Sequence, residues 1–328
     1  MADHLGNRRR SAATGQVRVG ISGWRYDGWR GHFYPAGLPQ RAELAFASRV
    51  LSTVELNGSF YSLQRPEHYH LWHAQTPDDF LFSVKGPRYV THMLKLRNAR
   101  TAIANFLASG VLALDAKLGP ILWQLPPQLP YDAERLDAFL ALLPTDTEAA
   151  LGLAEEHDDR LKGRSWLGPV RRRPMRHALE IRHQTYVNAE FIDLLRRYRV
   201  APVVADTAGR WPWIEDLTTD FVYIRLHGAE ELYVSGYDDG AIAHWAQRID
   251  AWRHGEQIAD ARLASTRAAS RSRHRDVFCY FDNDAKVHAP FDAHRLSVCL
   301  EGGVLSSPWP PAEVDTGERG PTKNGRNP

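Results

Sequence analysis

Cysteine is nearly absent from this sequence, which holds only Cys279 and Cys299 in 328 residues. Both lie in apolar runs, so the sequence offers neither a disulfide framework nor a zinc-type cysteine cluster. This usage is typical of a reducing compartment, and we expect a cytoplasmic location. A strong charge excess is missing as well: the formal net charge of +2 makes no electrostatic case for nucleic acid.

Long apolar runs are also missing from the sequence. No stretch is long enough to cross a bilayer and the N-terminus lacks the apolar core of a signal peptide, so we expect no membrane association. A chain of 328 residues has room for one large α/β barrel or two ordinary domains. Residues 1–16 and 301–328 lack periodic apolar patterns, and we expect disordered tails around one domain of residues 17–300.

Eight short β-rich runs alternate with helical patterns along the chain. The predicted strands are Val17–Ser22, Thr53–Phe60, Phe80–Lys85, Ile121–Leu125, His177–Arg182, Ala201–Asp206, Phe221–His227 and Asp276–Asn283. This alternation predicts an α/β fold of the (β/α)₈ barrel type in a single domain. A doubly wound open sheet would normally carry a glycine-rich phosphate turn after its first strand, and Gly20–Trp24 does not have that fingerprint.

The predicted strands end in polar residues that share one face. Because side chains alternate between the two faces of a strand, one face is expected to meet the helices and the other to point into the barrel. On this basis we predict four residues of the sixth and eighth strands on the helix side: Val203, Ala205, Phe278 and Tyr280. The residues predicted to converge on the C-terminal mouth, where barrels place their chemistry, are Glu55, Asn57, Lys85, Gln124, Glu180, Arg182, Asp206, Arg225, His227 and Asn283.

These residue types favour an enzyme acting on a small anionic or sugar-like metabolite. The cations Lys85, Arg182 and Arg225 suit a phosphate or carboxylate, and Arg suits bidentate contact. The candidate catalytic residues, as general bases or as a proton carrier near neutral pH, are Glu55, Glu180, Asp206 and His227. The remaining candidates for substrate contact, of which the two rings suit sugars or bases, are Asn57, Gln124, Asn283, Trp24 and Tyr61.

Other interpretations remain open on the sequence alone. A self-satisfied layer of salt bridges, such as Glu180–Arg225 with Asp206–Arg182, would close the barrel without chemistry. A divalent metal on these carboxylates and His227 would suit an isomerase or an endonuclease-like hydrolase, but the cations compete for the same oxygens. We therefore predict no metal ligands and no cofactor.

Two further alternatives concern the basic residues. Non-catalytic binding of nucleic acid or of a phosphorylated ligand would use the basic stretches Arg171–Arg176 and Arg267–Arg275. A desolvated Lys85 would be able to form a Schiff base with a carbonyl compound, but we expect it to form an ion pair with Glu55 instead.

Several short motifs, in a fixed order, resemble the YecE-like family, also known as domain of unknown function 72. They include Gly20-Ile21-Ser22-Gly23-Trp24, Val54-Glu55-Leu56-Asn57, Phe82-Ser83-Val84-Lys85, Glu180-Ile181-Arg182-His183, Arg225-Leu226-His227-Gly228 and Tyr280-Phe281-Asp282-Asn283. The resemblance runs from about Val17 to about Leu300 and implies a TIM-like barrel. It implies no reaction, because the family is named for lacking one. Asp282 departs from the family pattern, which usually shows Asn at this position.

Overall fold

The computed structural model describes residues 14–269 and 271–303. Within them, eight parallel strands pair in chain order and close into a barrel, with β1 hydrogen-bonded to β8. The strands are β1 Val17–Ser22, β2 Thr53–Leu56, β3 Leu81–Lys85, β4 Leu118–Gln124, β5 His177–Glu180, β6 Ala201–Asp206, β7 Phe221–Leu226 and β8 Asp276–Phe281. The predicted (β/α)₈ barrel is confirmed; the expected tails lie almost wholly outside the described residues.

Helices connect the strands and cover the outside of the barrel. They are α1 Glu43–Val50, α2 Gly58–Tyr61, α3 Pro66–Gln75, α4 Arg100–Ala108, α5 Ala133–Leu140, α6 Thr147–Ala154, α7 Ala189–Tyr198, α8 Asp239–Arg253 and α9 His288–Leu300. Local signals set where they begin: Pro66 occupies the first turn of α3, and the side chains of Asp132 and Asn188 accept from backbone N–H groups at the starts of α5 and α7. Among residues 14–269 and 271–303, no helix is long and apolar enough to span a membrane.

The barrel interior is apolar toward the N-terminal ends of the strands, which we call its lower part. It is polar toward their C-terminal ends, which form its upper part. Its lower part is a closed cluster of Leu122, Ala178, Ala201, Val203, Ala205, Phe221, Tyr223, Phe278 and Tyr280. A larger cluster, which includes Val54, Leu179 and Ile224, lies between the strands and the helices. Polar side chains at the C-terminal strand ends form the upper part, so the fold places them together at one mouth.

Two strands present the opposite face from the one predicted. Four residues expected on the helix side pack inside the barrel instead: Val203, Ala205, Phe278 and Tyr280. In register, Asp206 pairs with Leu226, which faces the helices. Both faces of a parallel strand are buried, so an apolar sequence does not show which face is which, and a shift of one residue reverses every side chain. This shift turns Asp206 and Asn283 away from the mouth and brings Asp282 into it.

Candidate functional site

One guanidinium, that of Arg225, occupies the centre of the upper barrel and is only 1% exposed. Its Nε and Nη2 donate to the two oxygens of Glu55 at 3.1 and 2.9 Å, and Nη2 also donates to Oδ2 of Asp282 at 2.8 Å. Its Nη1 donates to Oε2 of Glu180 at 2.8 Å and contacts Nε2 of His227 at 3.3 Å. These five residues form what we call the polar layer. Every N–H of Arg225 has an acceptor there, so the predicted contact between Arg225 and a substrate does not agree with the geometry.

Glu55 is completely buried beneath the mouth. Besides Arg225, its carboxylate accepts from Oγ of Ser22 at 2.6 Å and from the hydroxyl of Tyr223 at 2.7 Å. It does not line the cavity described below. Its lone pairs are thus used within the fold, and the structure does not favour the predicted role as a general base.

Glu180 is also completely buried. It accepts from Nε2 of Gln124 at 2.9 and 3.1 Å and from Nε of Arg182 at 2.9 Å, in addition to Arg225. Burial alone would raise the pKa of Glu180, but the charges of Arg182 and Arg225 hold it well below its usual range. A carboxylate held this strongly is a poor proton acceptor near neutral pH, so Glu180 fits a positioning role for Arg182.

Asp282 is the third carboxylate of the polar layer, and the sequence analysis did not select it as a candidate. Nδ1 of His227 lies 3.0 Å from its Oδ2, at an angle too bent for a regular hydrogen bond. Because an arginine only donates, the contact with Arg225 makes Nε2 the accepting nitrogen of His227, which places the ring proton on Nδ1. Burial would raise the pKa of Asp282, but Arg225 and then His227 hold it below its usual range. His227 is fully buried, and the structure does not favour it as a proton carrier to a ligand.

Asp206 and Asn283 point away from the mouth, so the prediction that they face it is wrong. Asp206 accepts from the hydroxyl of Tyr237 at 3.2 Å, and burial raises the pKa of its carboxyl. Asn283 donates to Asp292 and to the backbone oxygen of Ser235, each at 3.0 Å. These contacts fix the β7–α8 connection and the start of α9 against the barrel wall.

A cavity of about 680 Å³ opens above the polar layer. Its lining is Tyr26, Asn57, Phe60, Tyr61, Lys85, Arg88, His92, Gln124, Arg182, Arg225, Tyr233, Asp282 and Asp284. This volume falls in the range of sites that enclose small metabolites. The structure therefore brings Asn57, Tyr61, Lys85, Gln124 and Arg182 together as predicted, and adds Arg88, His92 and Asp284.

Lys85, the last residue of β3, is 8% exposed. Its Nζ lies 4.4 Å from the centre of the Phe60 ring and, among the described residues, has neither a hydrogen-bond acceptor nor an ion-pair partner. The expected ion pair with Glu55 is not formed. Burial, and then the charge of Arg225, lower the pKa of Lys85 to about 8.

Arg182 follows β5 and leans over the mouth. Its Nε is fixed by Glu180, and its guanidinium lies over the ring of Trp211 at 3.7 Å. The expected pair with Asp206 is not formed. Within the described part of the chain, both η nitrogens of Arg182 lack a hydrogen-bond acceptor. Arg182 is thus held in one orientation with two donor groups free.

The segment after β3 carries two residues that the sequence analysis missed. A Cβ at Gly86 would lie 2.4 Å from the ring of Trp123, so glycine allows the chain to turn closely there. Exposed Arg88 follows, and His92 lies in a π-helical turn, Tyr89–Met93. The pKa of His92 is lowered to about 4 by burial and then by three nearby cations, Arg182, Lys85 and Arg88. These cations therefore surround one neutral imidazole on one wall of the cavity.

Asp284 supplies an acidic group to the same cavity. Burial, and then the charge of Asp282, raise the pKa of Asp284 to about 6. Asp282 and Asp284 share one parity beyond β8. If the face of β8 with Phe278 and Tyr280 had been predicted to point into the barrel, both aspartates would have been predicted at the mouth.

Trp24 and Tyr61 border a second pocket of about 300 Å³, which shares Tyr26, Asn57 and Tyr61 with the main cavity. Trp24 is packed edge-on against Trp72 at 5.6 Å and is 7% exposed. Tyr61, by contrast, is 71% exposed. Of the two predicted rings, Tyr61 is thus the more accessible surface for a ligand. The neighbouring rings of Trp29, Phe33 and Tyr34 are buried and pack against one another.

Arg225 occupies the position between Glu55, Glu180 and Asp282 that a cation shared by these carboxylates would take. In residues 14–269 and 271–303, no group of three or more His, Cys, Asp and Glu side chains is placed to hold a metal ion. The carboxylate oxygens of the polar layer are committed to the guanidinium instead.

Comparisons with known proteins identify the family of this chain and support its fold. The family described as "Protein of unknown function DUF72" matches residues 18–313. The UPF0759 protein YecE of Escherichia coli K12 is 30% identical over 129 residues, which are 39% of this chain and 44% of that protein, so less than half of the relative is aligned. A crystal structure of a DUF72 family protein from Thermotoga maritima MSB8 has a TM-score of 0.67 at 22% identity, covering 87% of this chain and 99% of that one. Another, from Enterococcus faecalis V583, has a TM-score of 0.61 at 16% identity, covering 87% and 96%. At these identities the structural likeness shows the fold alone.

Proposed function

We propose that this chain, which belongs to the DUF72 family of proteins of unknown function, binds a small anionic metabolite at the barrel mouth and acts on it by acid–base chemistry. The observation that supports this is the cationic wall of the cavity. Lys85, Arg88 and Arg182 face one space with N–H donors that no described acidic side chain accepts. Among the described residues, Lys85 is buried without an acceptor, and Arg182, whose Nε is paired with Glu180, keeps two η nitrogens without one. Leaving such donors unsatisfied is costly, and an anionic ligand would satisfy them.

Arg182 is the main candidate for gripping the anion. Its η nitrogens are free, while Glu180 and Trp211 hold the guanidinium plane in place before a ligand arrives. A planar fork with two donors matches the oxygens of a phosphate or a carboxylate. Arg88 adds a second positive charge on the same wall. His92 is neutral, so it does not repel these cations.

Asp284 and Lys85 supply the acid–base pair. The pKa of the carboxyl is raised to about 6 and that of the amine is lowered to about 8. Between these pH values Asp284 is mostly ionised and Lys85 mostly protonated, so one can accept a proton from, and the other donate a proton to, a ligand in the cavity that both residues line. Opposite pKa shifts of this kind in one cavity are a mark of acid–base sites.

The nucleic-acid alternative gains no support from the basic stretches. Arg172, Arg173 and Arg176 bind acidic side chains at Asp146, Asp115, Asp220 and Asp276. Arg176 and Arg275 directly precede β5 and β8, so both basic stretches lead into strand starts, at the end of the barrel opposite to the mouth. The basic residues and the cavity therefore do not form one surface.

Phosphate binding tests the proposal. Titration of the wild-type protein with inorganic phosphate, followed by calorimetry and thermal melts, is expected to show binding that Arg182→Gln and Arg88→Gln each weaken about tenfold or more. The matched control is Arg171→Gln, which removes an exposed arginine far from the cavity and should leave the affinity unchanged. Melts without phosphate confirm that each variant is folded. Absence of phosphate-dependent stabilisation in the wild type, or an equal loss in Arg171→Gln, contradicts the proposal.

A further inference from the structure

We propose that Lys85 is a nucleophile that forms a reversible imine with a carbonyl-bearing anion held in the cavity. This inference rests on the proposed function and narrows the substrate to a class: a phosphorylated aldehyde or ketone, or a 2-oxo acid. The shared chemistry is a carbonyl carbon a few bonds away from an anionic group, which Arg182 and Arg88 would hold while the amine reacts.

Lys85 is anchored at the end of β3 and extends into the cavity. Its backbone oxygen accepts from Oγ of Ser59 at 2.6 Å, which anchors the strand end, and its side chain runs past the Phe60 ring into the cavity. Nζ meets an aromatic face and open space rather than an acceptor. A lysine desolvated in this way is suited to attack a carbonyl group.

Lys117 provides the comparison within the same chain. It is also buried, but its Nζ donates to the backbone oxygens of His73 and Thr76 at 2.7 and 2.8 Å and to Oγ1 of Thr76 at 3.3 Å. This is how the fold uses a buried lysine for structure: every N–H is satisfied. Among the described lysines, Lys85 is the buried one that the fold leaves without an acceptor.

The protonation of Lys85 supports the geometry. With the pKa lowered to about 8, about one molecule in ten carries the neutral amine at pH 7, against about one in 3,000 for an ordinary lysine. Only the neutral amine has the lone pair that attacks. Since Arg182 and Arg88 carry the fixed positive charge for the anion, Lys85 is free to react in its neutral form.

The step balances without an outside oxidant or reductant. The Nζ lone pair forms a bond to the carbonyl carbon and the C=O π electrons move to oxygen. One N–H proton then leaves the nitrogen and one is added to that oxygen, which gives a neutral carbinolamine. Once the hydroxyl is protonated, the nitrogen lone pair forms the C=N bond and expels one water, and loss of the remaining N–H proton gives the imine. Asp284, which lines the same cavity and whose pKa is raised to about 6, can accept the proton that leaves the nitrogen and return it to the leaving hydroxyl.

Borohydride trapping tests the proposal on the full chain. Pyridoxal 5′-phosphate serves as an anionic aldehyde probe, and adducts are located by peptide mass mapping among the chain's lysines, which are Lys85, Lys95, Lys117, Lys162, Lys286 and Lys323. Among these six lysines, we expect the adduct at pH 7 on Lys85. Its neutral fraction is about 300-fold higher than that of exposed Lys95 and, after a tenfold discount for a less basic amine, labelling should be about 30-fold faster. Pyridoxal without the phosphate should react at least tenfold more slowly, and inorganic phosphate should protect Lys85.

Two variants and two further probes complete the design. Lys85→Met should abolish the adduct and Lys95→Met should leave it unchanged. Borohydride trapping with glyceraldehyde 3-phosphate and with pyruvate, run separately, distinguishes a phosphate-bearing from a carboxylate-bearing substrate by the mass added. Labelling confined to exposed lysines, or equal in wild type and Lys85→Met, overturns the imine.

The outcomes separate this inference from the proposed function. If phosphate binds and stabilises the wild type but Lys85 is not labelled, the imine fails and the anion site stands. If Lys85 is labelled selectively but phosphate neither binds nor protects, the nucleophile stands and the anion site fails.

Discussion

Replacing Arg225 with methionine is expected to destabilise the barrel by roughly 3–5 kcal/mol near pH 7. Methionine keeps much of the side-chain bulk but removes the cation at the centre of the polar layer. Four N–H···carboxylate bonds are lost, to Glu55 twice, to Glu180 and to Asp282. At roughly 1.5–3 kcal/mol each the gross loss is about 6–12 kcal/mol. Relief of the several kcal/mol needed to bury a guanidinium offsets about half of it.

The three carboxylates are not equally affected by this substitution. Glu180 keeps Arg182 and Gln124, and Asp282 keeps its contact with His227. Glu55 keeps only neutral donors, Ser22 and Tyr223, and is left as an uncompensated buried charge. Adding Glu55→Gln to Arg225→Met should therefore restore part of the stability.

The pH dependence of the loss has a definite sign. The pKa values of Glu180 and Asp282 are below their usual range in the folded protein. A carboxyl of this kind contributes stability that is present above its unfolded pKa, about 4, and is lost as the pH falls toward the folded value. The gap in stability between wild type and Arg225→Met should thus be full near pH 7 and shrink below about pH 4.

The assay is urea unfolding in buffer without added salt, repeated at several pH values, and it measures the free energy of unfolding of each variant. The control is Arg176→Met, which removes an arginine from partly exposed ion pairs with Asp220 and Asp276 and should cost less than about 1 kcal/mol. If Arg225→Met costs as little as the control and abolishes phosphate binding in a stable fold, the reasoning is refuted. Arg225 would then be a ligand-binding residue, as the sequence alone predicted.

Two further predictions concern the groups that titrate in the cavity. Lys85→Met should stabilise the protein by about 1–3 kcal/mol at pH 7, because a lysine whose pKa is lowered to about 8 imposes a penalty in full below that pH. The gain should fade between pH 8 and about 10.5, and a variant less stable than wild type in urea would contradict it. Asp282→Asn should bring the pKa of Asp284 below about 6, because the charge of Asp282 is one of its causes. An unchanged carboxyl titration by NMR would count against this.

Local signals were enough to predict the barrel. The predicted bounds of β1 and β6 agree with the structure at both ends, Val17–Ser22 and Ala201–Asp206. Proline in the first turn of a helix and short apolar runs between turns act over a few residues, so the sequence displays them directly. Eight such runs in alternation then leave few architectures.

The faces of β6 and β8 required information that a single strand does not contain. Both parities of Ala201–Asp206 are apolar until its end, and the true face is set by the pairing of Ala205 with Arg225 on β7. Pairing depends on residues distant in the sequence. Because the faces of these two strands were predicted the wrong way round, Asp206 and Asn283 were placed at the mouth and Asp282 was left out.

The sequence alone also did not show which charged groups pair with one another and which remain free for a ligand. The polar layer and Arg182 hold three carboxylates against two guanidiniums, an excess of one negative charge, and within the polar layer itself nearly every donor and acceptor is matched. A matched group has little left to offer a ligand, whereas Lys85 has no acceptor above that layer. Its pKa is lowered although carboxylates lie nearby, so burial and the charge of Arg225 outweigh them. The polar layer thus orients Arg182 and keeps Lys85 poorly solvated, and the reactive groups are the ones that it leaves unsatisfied.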